Sequence, residues 1–170
     1  MSIDDPVIGP LTFEDYGLPT WTREDSLDIL GGSIRLDIGA DSQGPTELQR
    51  QVYITCKQMP MSVRDELQEA IFEFYKVERE AYAEVCGDIE GYVEEFLPVL
   101  EESSSIWGII QPNYWRIMGP EPSDDGTIEV SDRYDATISW NGCWDVEHEF
   151  CALLKDGKLV SIEGPGGDFS

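Results

Sequence analysis

The chain has 170 residues, of which 35 are acidic and 11 are basic, so its formal net charge is 11 − 35 = −24. This length suits a single domain spanning residues 1–170, and a hydrophobic content of 41% excludes a disordered chain. So acidic a surface repels nucleic acid and anionic membranes. It either attracts basic protein partners or keeps the protein soluble.

β-Structure is predicted for the first 38 residues. The apolar run at residues 7–13 is interrupted by a Gly-Pro pair, which allows an edge strand at best. Residues 18–21 are predicted to form a loop that anchors Trp21 in the core. Residues 26–38 alternate apolar and polar side chains around a Gly-Gly pair, which predicts a hairpin that turns at the two glycines.

Helices are predicted for residues 46–100. Thr46 and Gln49 have the spacing of a capping box at the start of a first helix, which Pro60 ends. A second helix of about six turns follows, because apolar residues recur on one face and glutamates lie opposite. Its apolar face comprises Val63, Leu67, Ala70, Ile71, Phe74, Tyr75, Ala81, Tyr82 and Val85. A third helix is predicted over residues 88–97, with its inward positions at Ile89, Tyr92, Val93 and Phe96.

The rest of the chain is predicted to return to β-structure. Short strands are expected at residues 106–110, 114–118, 127–130 and 134–140, and the last of these pairs with the strand that begins near residue 146. Strands, then helices, then strands predict an α+β fold. In this fold, helices from the middle of the chain pack on one face of an antiparallel sheet.

The clearest single signal is Asp156-Gly157, which separates two apolar runs. An Asp-Gly pair favours a two-residue hairpin turn because both residues readily take positive φ. In the preceding strand, alternate residues from Val146 to Leu154, including His148, are predicted to face the core. The predicted solvent face of that strand comprises Glu147, Glu149, Cys151 and Leu153.

His148 is the single histidine of the chain. It could act as a general base or metal ligand, or it could be a structural residue bonded to Asp145 or to a main-chain carbonyl. The structural role is favoured, because a metal site needs several ligands at workable spacing and Cys151 falls on the opposite face. We predict no metal and no cofactor, since the four cysteines form no Cys-x-x-Cys pair.

Adjacent carboxylates are the candidate partner-binding residues. They comprise Glu94, Glu95, Glu101, Glu102, Asp124 and Asp125. The pairs at 101–102 and 124–125 fall in polar loops, where they can meet a partner. Adjacency is expected by chance in so acidic a chain, so no pair is predicted to be catalytic. Five aromatic residues could line a ligand cleft, although core packing is favoured: Trp107, Tyr114, Trp115, Trp140 and Trp144.

The stretch Trp144-Asp145-Val146-Glu147-His148 resembles the Trp-Asp-x-Glu-His signature of a family of small bacterial proteins. In that family the signature lies near the C-terminus before a final hairpin, and its members are suspected immunity proteins encoded beside secreted polymorphic toxins. The resemblance covers about the last two thirds of the chain. The family usually has glycine after the histidine, whereas this chain has Glu149. The family supplies no catalytic residues, so the signature is expected to be structural.

The resemblance and the charge together imply a non-enzymatic immunity protein. It would bind a cognate basic toxin, one directed at nucleic acid, and occlude its active site. Two alternatives stay open: a small hydrolase or metal-dependent enzyme centred on Asp145, Glu147 and His148, and an acidic interaction module without a toxin. The N-terminal sequence has neither a basic start nor a long apolar run, which predicts a cytoplasmic protein without a membrane span.

Overall fold

The computed structural model describes residues 1–15, 19–86, 93, 96–119, 121–122, 128–129 and 131–164, without the side chains of residues 86, 121–122, 128–129 and 145–148. The first half contains β1 (Ser2–Asp5), β2 (Gly9–Asp15), β3 (Pro19–Leu27), β4 (Gly32–Gly39), α1 (Glu47–Lys57) and α2 (Ser62–Cys86). The second half contains a 3-10 helix (Ser103–Gly108), β5 (Ile110–Ile117), β6 (Glu121–Pro122), β7 (Ile128–Glu129), β8 (Ala136–Gly142), β9 (Asp145–Lys155) and β10 (Lys158–Glu163).

Eight strands form one sheet in the order β1-β2-β3-β4-β5-β8-β9-β10, and β6 pairs with β7 separately. Neighbouring strands of the large sheet are antiparallel except β4 and β5, which are parallel. A parallel neighbour requires the chain to cross back to the starting end of the sheet, and the segment that carries α1 and α2 makes this crossover. The predicted α+β fold is therefore confirmed, with one parallel pair that the sequence did not indicate.

The core lies on one face of this sheet. Strand register aligns two rows of buried side chains, one at Trp21, Ile38, Ile117, Ala136 and Leu154, and one at Leu36, Trp115, Ile138 and Ala152. The intervening row is polar and points to the other face, because side chains alternate along a strand; it contains Thr22, Asp37, Arg116 and Thr137. α2 contributes Leu67, Ile71, Phe74 and Tyr75 to the same core.

The final hairpin has its predicted form. Asp156 and Gly157 connect β9 to β10 with φ values of 51° and 70°. Phe150, Ala152 and Leu154 are buried, as the alternation predicts. Leu153 is also buried, which departs from its predicted solvent-facing position.

The N-terminal predictions need correction. Residues 7–13 do not form an edge, because β1 supplies the edge and β2 lies between β1 and β3. Trp21 is fully buried, but it lies in β3 rather than in a loop. The β3–β4 turn spans residues 28–31 with Gly31 at φ 74°, and Gly32 is already in β4. Ile29 therefore reaches the core from a turn. Its apolar side chain continued the alternation of the preceding strand in the sequence, so a strand was predicted at this position.

Both helices, α1 and α2, are confirmed, and α2 extends over the whole predicted length to Cys86. Thr46 and Gln49 form a complete capping box. Beyond Tyr75 the predicted apolar face of α2 is only partly buried: Tyr82 packs against the core, whereas Ala81 is exposed and Val85 is 85% exposed. Most of the predicted third helix, including Ile89 and Tyr92, lies outside the described residues.

Three further positions differ from the sequence predictions. Val93 is buried, but Phe96 is 42% exposed and does not face inward as predicted. Residues 106–108 belong to the 3-10 helix rather than to a strand. β5 runs through Gln111-Pro112-Asn113, where a break was predicted, because a register shift between Pro112 and Tyr114 accommodates the proline.

Candidate partner-binding surface

The basic side chains of this protein are largely engaged within the molecule. Six of the eleven lie within 4.0 Å of a carboxylate: Arg35, Arg50, Lys57, Lys76, Arg133 and Lys155. Three others donate to main-chain carbonyls: Arg23 to Ile8, Arg64 to Ile29 and Arg79 to Leu97. At least nine cations are thus used internally, and carboxylates dominate the surface that a partner meets.

Two of these ion pairs connect α1 to the N-terminal strands. The guanidinium of Arg50 lies 2.9 Å from Asp5, whose side chain is 1% exposed and also accepts from the main-chain N–H groups of Val7 and Ile8. Lys57 lies 3.2 Å from Asp25 of β3. These cations therefore position the helix on the sheet and are not displayed to a partner.

Exposed carboxylates follow the outer side of α2. They comprise Asp65, Glu66, Glu69, Glu73, Glu80 and Glu84. The predicted partner-binding residues Glu101 and Glu102 are also exposed, in the turn that precedes the 3-10 helix. The other predicted residues, Glu94, Glu95, Asp124 and Asp125, lie outside the described residues.

A network of side chains joins α2 to Ser103, which directly follows Glu101 and Glu102 in the chain. Ser103 donates to Glu69 over 2.5 Å and accepts from the amide of Gln68 over 3.1 Å. Gln68 in turn accepts the indole N–H of Trp107 over 2.9 Å. We define the Trp107 surface as the set of five residues Gln68, Glu69, Glu101, Glu102 and Trp107.

Trp107 is the aromatic residue of this surface. It is half-buried, and the guanidinium of Arg64 lies 4.4 Å from the centre of its ring. Its hydrogen bond to Gln68 and its contact with Arg64 fix the ring, so little entropy would be lost when a partner packs on it. A fixed indole on a surface that also carries the exposed carboxylates of Glu69, Glu101 and Glu102 suits a partner with basic side chains around an apolar contact.

Part of this surface was not predicted from the sequence. Trp107 was grouped with residues favoured for the core, and Trp115, Trp140 and Trp144 are indeed buried there. Gln68 and Glu69 were not selected at all, because their link to Ser103 and Trp107 is a tertiary contact. The signal that could have found Glu69 is its helical spacing with Glu66 and Glu73 on the solvent side of α2.

Trp144 of the signature is a core residue. Its ring centroid lies 5.0 Å from that of Tyr75 and 5.5 Å from that of Phe150, and Phe150 stacks on Trp140. Burial raises the pKa of Tyr75 to about 12, and its hydroxyl donates to the carbonyl of Pro98 over 2.5 Å. Asp145, Glu147 and His148 belong to β9, but their side chains lie outside the described part of the structure.

Two of the described cysteines, Cys56 and Cys151, are poorly suited to thiolate chemistry. Burial raises the pKa of Cys56 to about 12. It raises the pKa of Cys151 to about 11, where the carboxylates of Glu163 and Glu149 add to the effect of burial. Both thiols therefore stay protonated at neutral pH, whereas the thiolate is the reactive and metal-binding form.

The described residues contain no group of three or more His, Cys, Asp or Glu side chains placed to hold a metal ion. Of the helices whose residues are described, none combines the length and the apolar character needed to cross a membrane.

Comparison with known proteins gives one match. The sequence model of a family described as a domain of unknown function (DUF6985) matches residues 7–169, which is nearly the whole chain. Searches of curated proteins and of solved structures returned no match.

Proposed function

This chain belongs to the DUF6985 family, and we propose that it is an immunity protein that binds a basic, nucleic-acid-directed toxin and occludes its active site. The observation that carries the proposal is the internal use of at least nine of the eleven basic side chains. Since these cations contact carboxylates or main-chain carbonyls of the same molecule, a partner meets mainly the remaining carboxylates, which account for the net charge of −24. The signature at residues 144–148 supports the link to toxins through its resemblance to suspected immunity proteins.

The Trp107 surface is the proposed centre of the interface. Toxins that act on nucleic acid carry a basic groove for phosphates. Glu69, Glu101 and Glu102 would lie against that groove, and Trp107 would pack at its centre, where a fixed aromatic ring contributes most to affinity. Binding there would exclude the nucleic acid without any chemical step.

The first experiment is co-expression with the product of the adjacent gene, followed by pull-down and a growth assay. We expect a stable complex and protection from the toxin. A complex without protection would favour a general acidic interaction module. A chain that neither binds nor protects would contradict the proposal.

A pair of matched variants tests the interface. Glu69, Glu101 and Glu102 are replaced by Lys in one variant, and Asp28, Glu84 and Asp132, which are also exposed, are replaced by Lys in the control. The two variants change the net charge equally. We expect affinity to fall by about tenfold or more only in the first, because charges aligned with a partner act locally. Equal losses would place the effect in the overall charge rather than in the Trp107 surface.

A further inference from the structure

A groove lies along α1. None of the residues that line it belongs to the Trp107 surface. It has a volume of about 150 Å³, and its walls come from α1, from Met118 after β5, and from residues 135 and 155–156 beside the final hairpin. Leu48, Val52 and Met118 give it an apolar floor, and Leu48 is 56% exposed. The volume suits one aliphatic side chain such as leucine or methionine.

The rim of the groove is acidic. Asp135 and Asp156 line it, and Glu47, with a side chain that is 89% exposed, precedes Leu48. Lys155 also lines the groove, but its ammonium donates to the carbonyl of Ser131 over 3.3 Å and lies 4.0 Å from Asp135. Arg50 lies 3.5 Å from Glu47. Three carboxylates and two cations therefore lie at or near the rim, and the charge that a ligand meets there is negative.

The nearby N-terminus of α1 does not reverse this preference. A helix N-terminus attracts anions when its N–H groups are free. Here Thr46 accepts the N–H of Gln49 over 3.3 Å, and Glu47 occupies the first turn. The end of the helix is thus already capped and carries its own carboxylate. The groove therefore favours a cationic ligand.

The carboxylate of Asp135 adds a polar feature to the groove. One of its oxygens accepts the main-chain N–H of Asp156 over 3.0 Å. The other is buried and accepts no hydrogen bond from the described residues. A basic side chain held at the rim would lower the cost of this buried negative charge.

We propose that the α1 groove binds a short basic segment of a partner protein, with one large aliphatic side chain on the floor and lysine or arginine against Asp156 and Glu47. This inference goes beyond the proposed function, since it concerns a second surface and holds for any partner that presents such a segment. It predicts selectivity for the aliphatic side chain as well as for positive charge.

The test is titration of the isotope-labelled full chain with acetyl-Lys-Lys-Leu-Lys-Lys-amide, followed by NMR. The expected amide shifts concentrate at Leu48, Gln51, Val52 and Asp156. The matched peptide with alanine in place of leucine should bind at least about fivefold more weakly, because it buries fewer methylene groups. Equal binding of the two peptides, shifts that avoid these amides, or no binding would each overturn the proposal.

Variants of the chain separate the groove from the general charge. Leu48→Ser should abolish the preference for the leucine peptide, and Val85→Ser, at a valine that does not line the groove, should keep it. Toxin binding is measured separately. If the wild-type chain binds the toxin but shows no preference for the leucine peptide, only the groove proposal is overturned. If the wild-type chain prefers the leucine peptide but does not bind the toxin, only the proposed immunity role is overturned.

Discussion

Asp5 is a buried charge whose partners hold a turn and a helix together. Burial alone would raise its pKa, but hydrogen bonds from Arg50 and from the N–H groups of Ile8 and Val7 outweigh this effect, so the pKa lies below its ordinary value. Asp5→Asn removes the charge that Arg50 contacts. We expect a loss of about 2–4 kcal/mol in the free energy of unfolding at pH 7, measured by urea denaturation.

The lowered pKa of Asp5 also fixes a pH dependence. A carboxyl with a lower pKa in the folded state stabilises the protein fully above its unfolded pKa of about 4, and this contribution disappears as the pH falls through the folded value. The stability difference between the wild type and Asp5→Asn should therefore shrink below about pH 4. Asp4→Asn, at an exposed neighbour, is the control and should change stability little at any pH.

Trp144 is predicted to act through packing. Trp144→Ala removes the ring between Tyr75 and Phe150, and we expect thermal or urea denaturation to show a loss of about 3–5 kcal/mol. Trp144→Phe should recover part of this loss because it restores an aromatic contact. Asn141→Ala, at an exposed position nearby in sequence, should be close to neutral. A stable Trp144→Ala variant that no longer binds a partner would show that the signature is a binding motif.

Gln49 links α1 to the end of β4 and to the residue that follows β5. Its amide donates to the carbonyl of Gly39 over 2.7 Å and to that of Met118 over 3.1 Å, and its oxygen accepts the N–H of Thr46 over 2.9 Å. Thr46→Ala removes mainly a cap, worth about 1 kcal/mol. Gln49→Ala leaves buried polar groups without partners and should cost about 2–4 kcal/mol. Urea denaturation of the two variants compares these costs, and equal values would show that Gln49 serves only as a cap.

The elements that the sequence predicted well are those defined by local chemistry. The Asp156-Gly157 turn and the Thr46–Gln49 capping box each depend on a few adjacent residues, and both are confirmed. Features set by distant residues escaped prediction. β2 is internal only because residues 2–5 pair with it, and Gln49 meets Met118 across 69 positions. The Trp107 surface belongs to this second class, since Gln68 meets Ser103 and Trp107 only in the folded chain.

At the scale of the whole molecule, charges of opposite sign have different tasks. Cations such as Arg50 and Lys57 bind helix to strand, while the carboxylates of α2 and of residues 101–102 face solvent. The same division explains how a chain with a net charge of −24 can fold. Its few cations neutralise carboxylates that would otherwise be buried alone, such as Asp5, and repulsion is confined to the solvated surface, where water weakens it.

This division of charge predicts how association depends on salt. If a basic partner meets the exposed carboxylates, long-range attraction raises the association rate, and added salt removes it because the screening length falls from about 10 Å at 0.1 M to about 3 Å at 1 M. Dissociation should change much less, since it reports desolvated contacts such as those of Trp107. Binding kinetics with the cognate partner from low to high salt should therefore show association slowing by about tenfold or more. A constant association rate would mean that the acidic surface does not guide this partner, and that its carboxylates serve solubility instead.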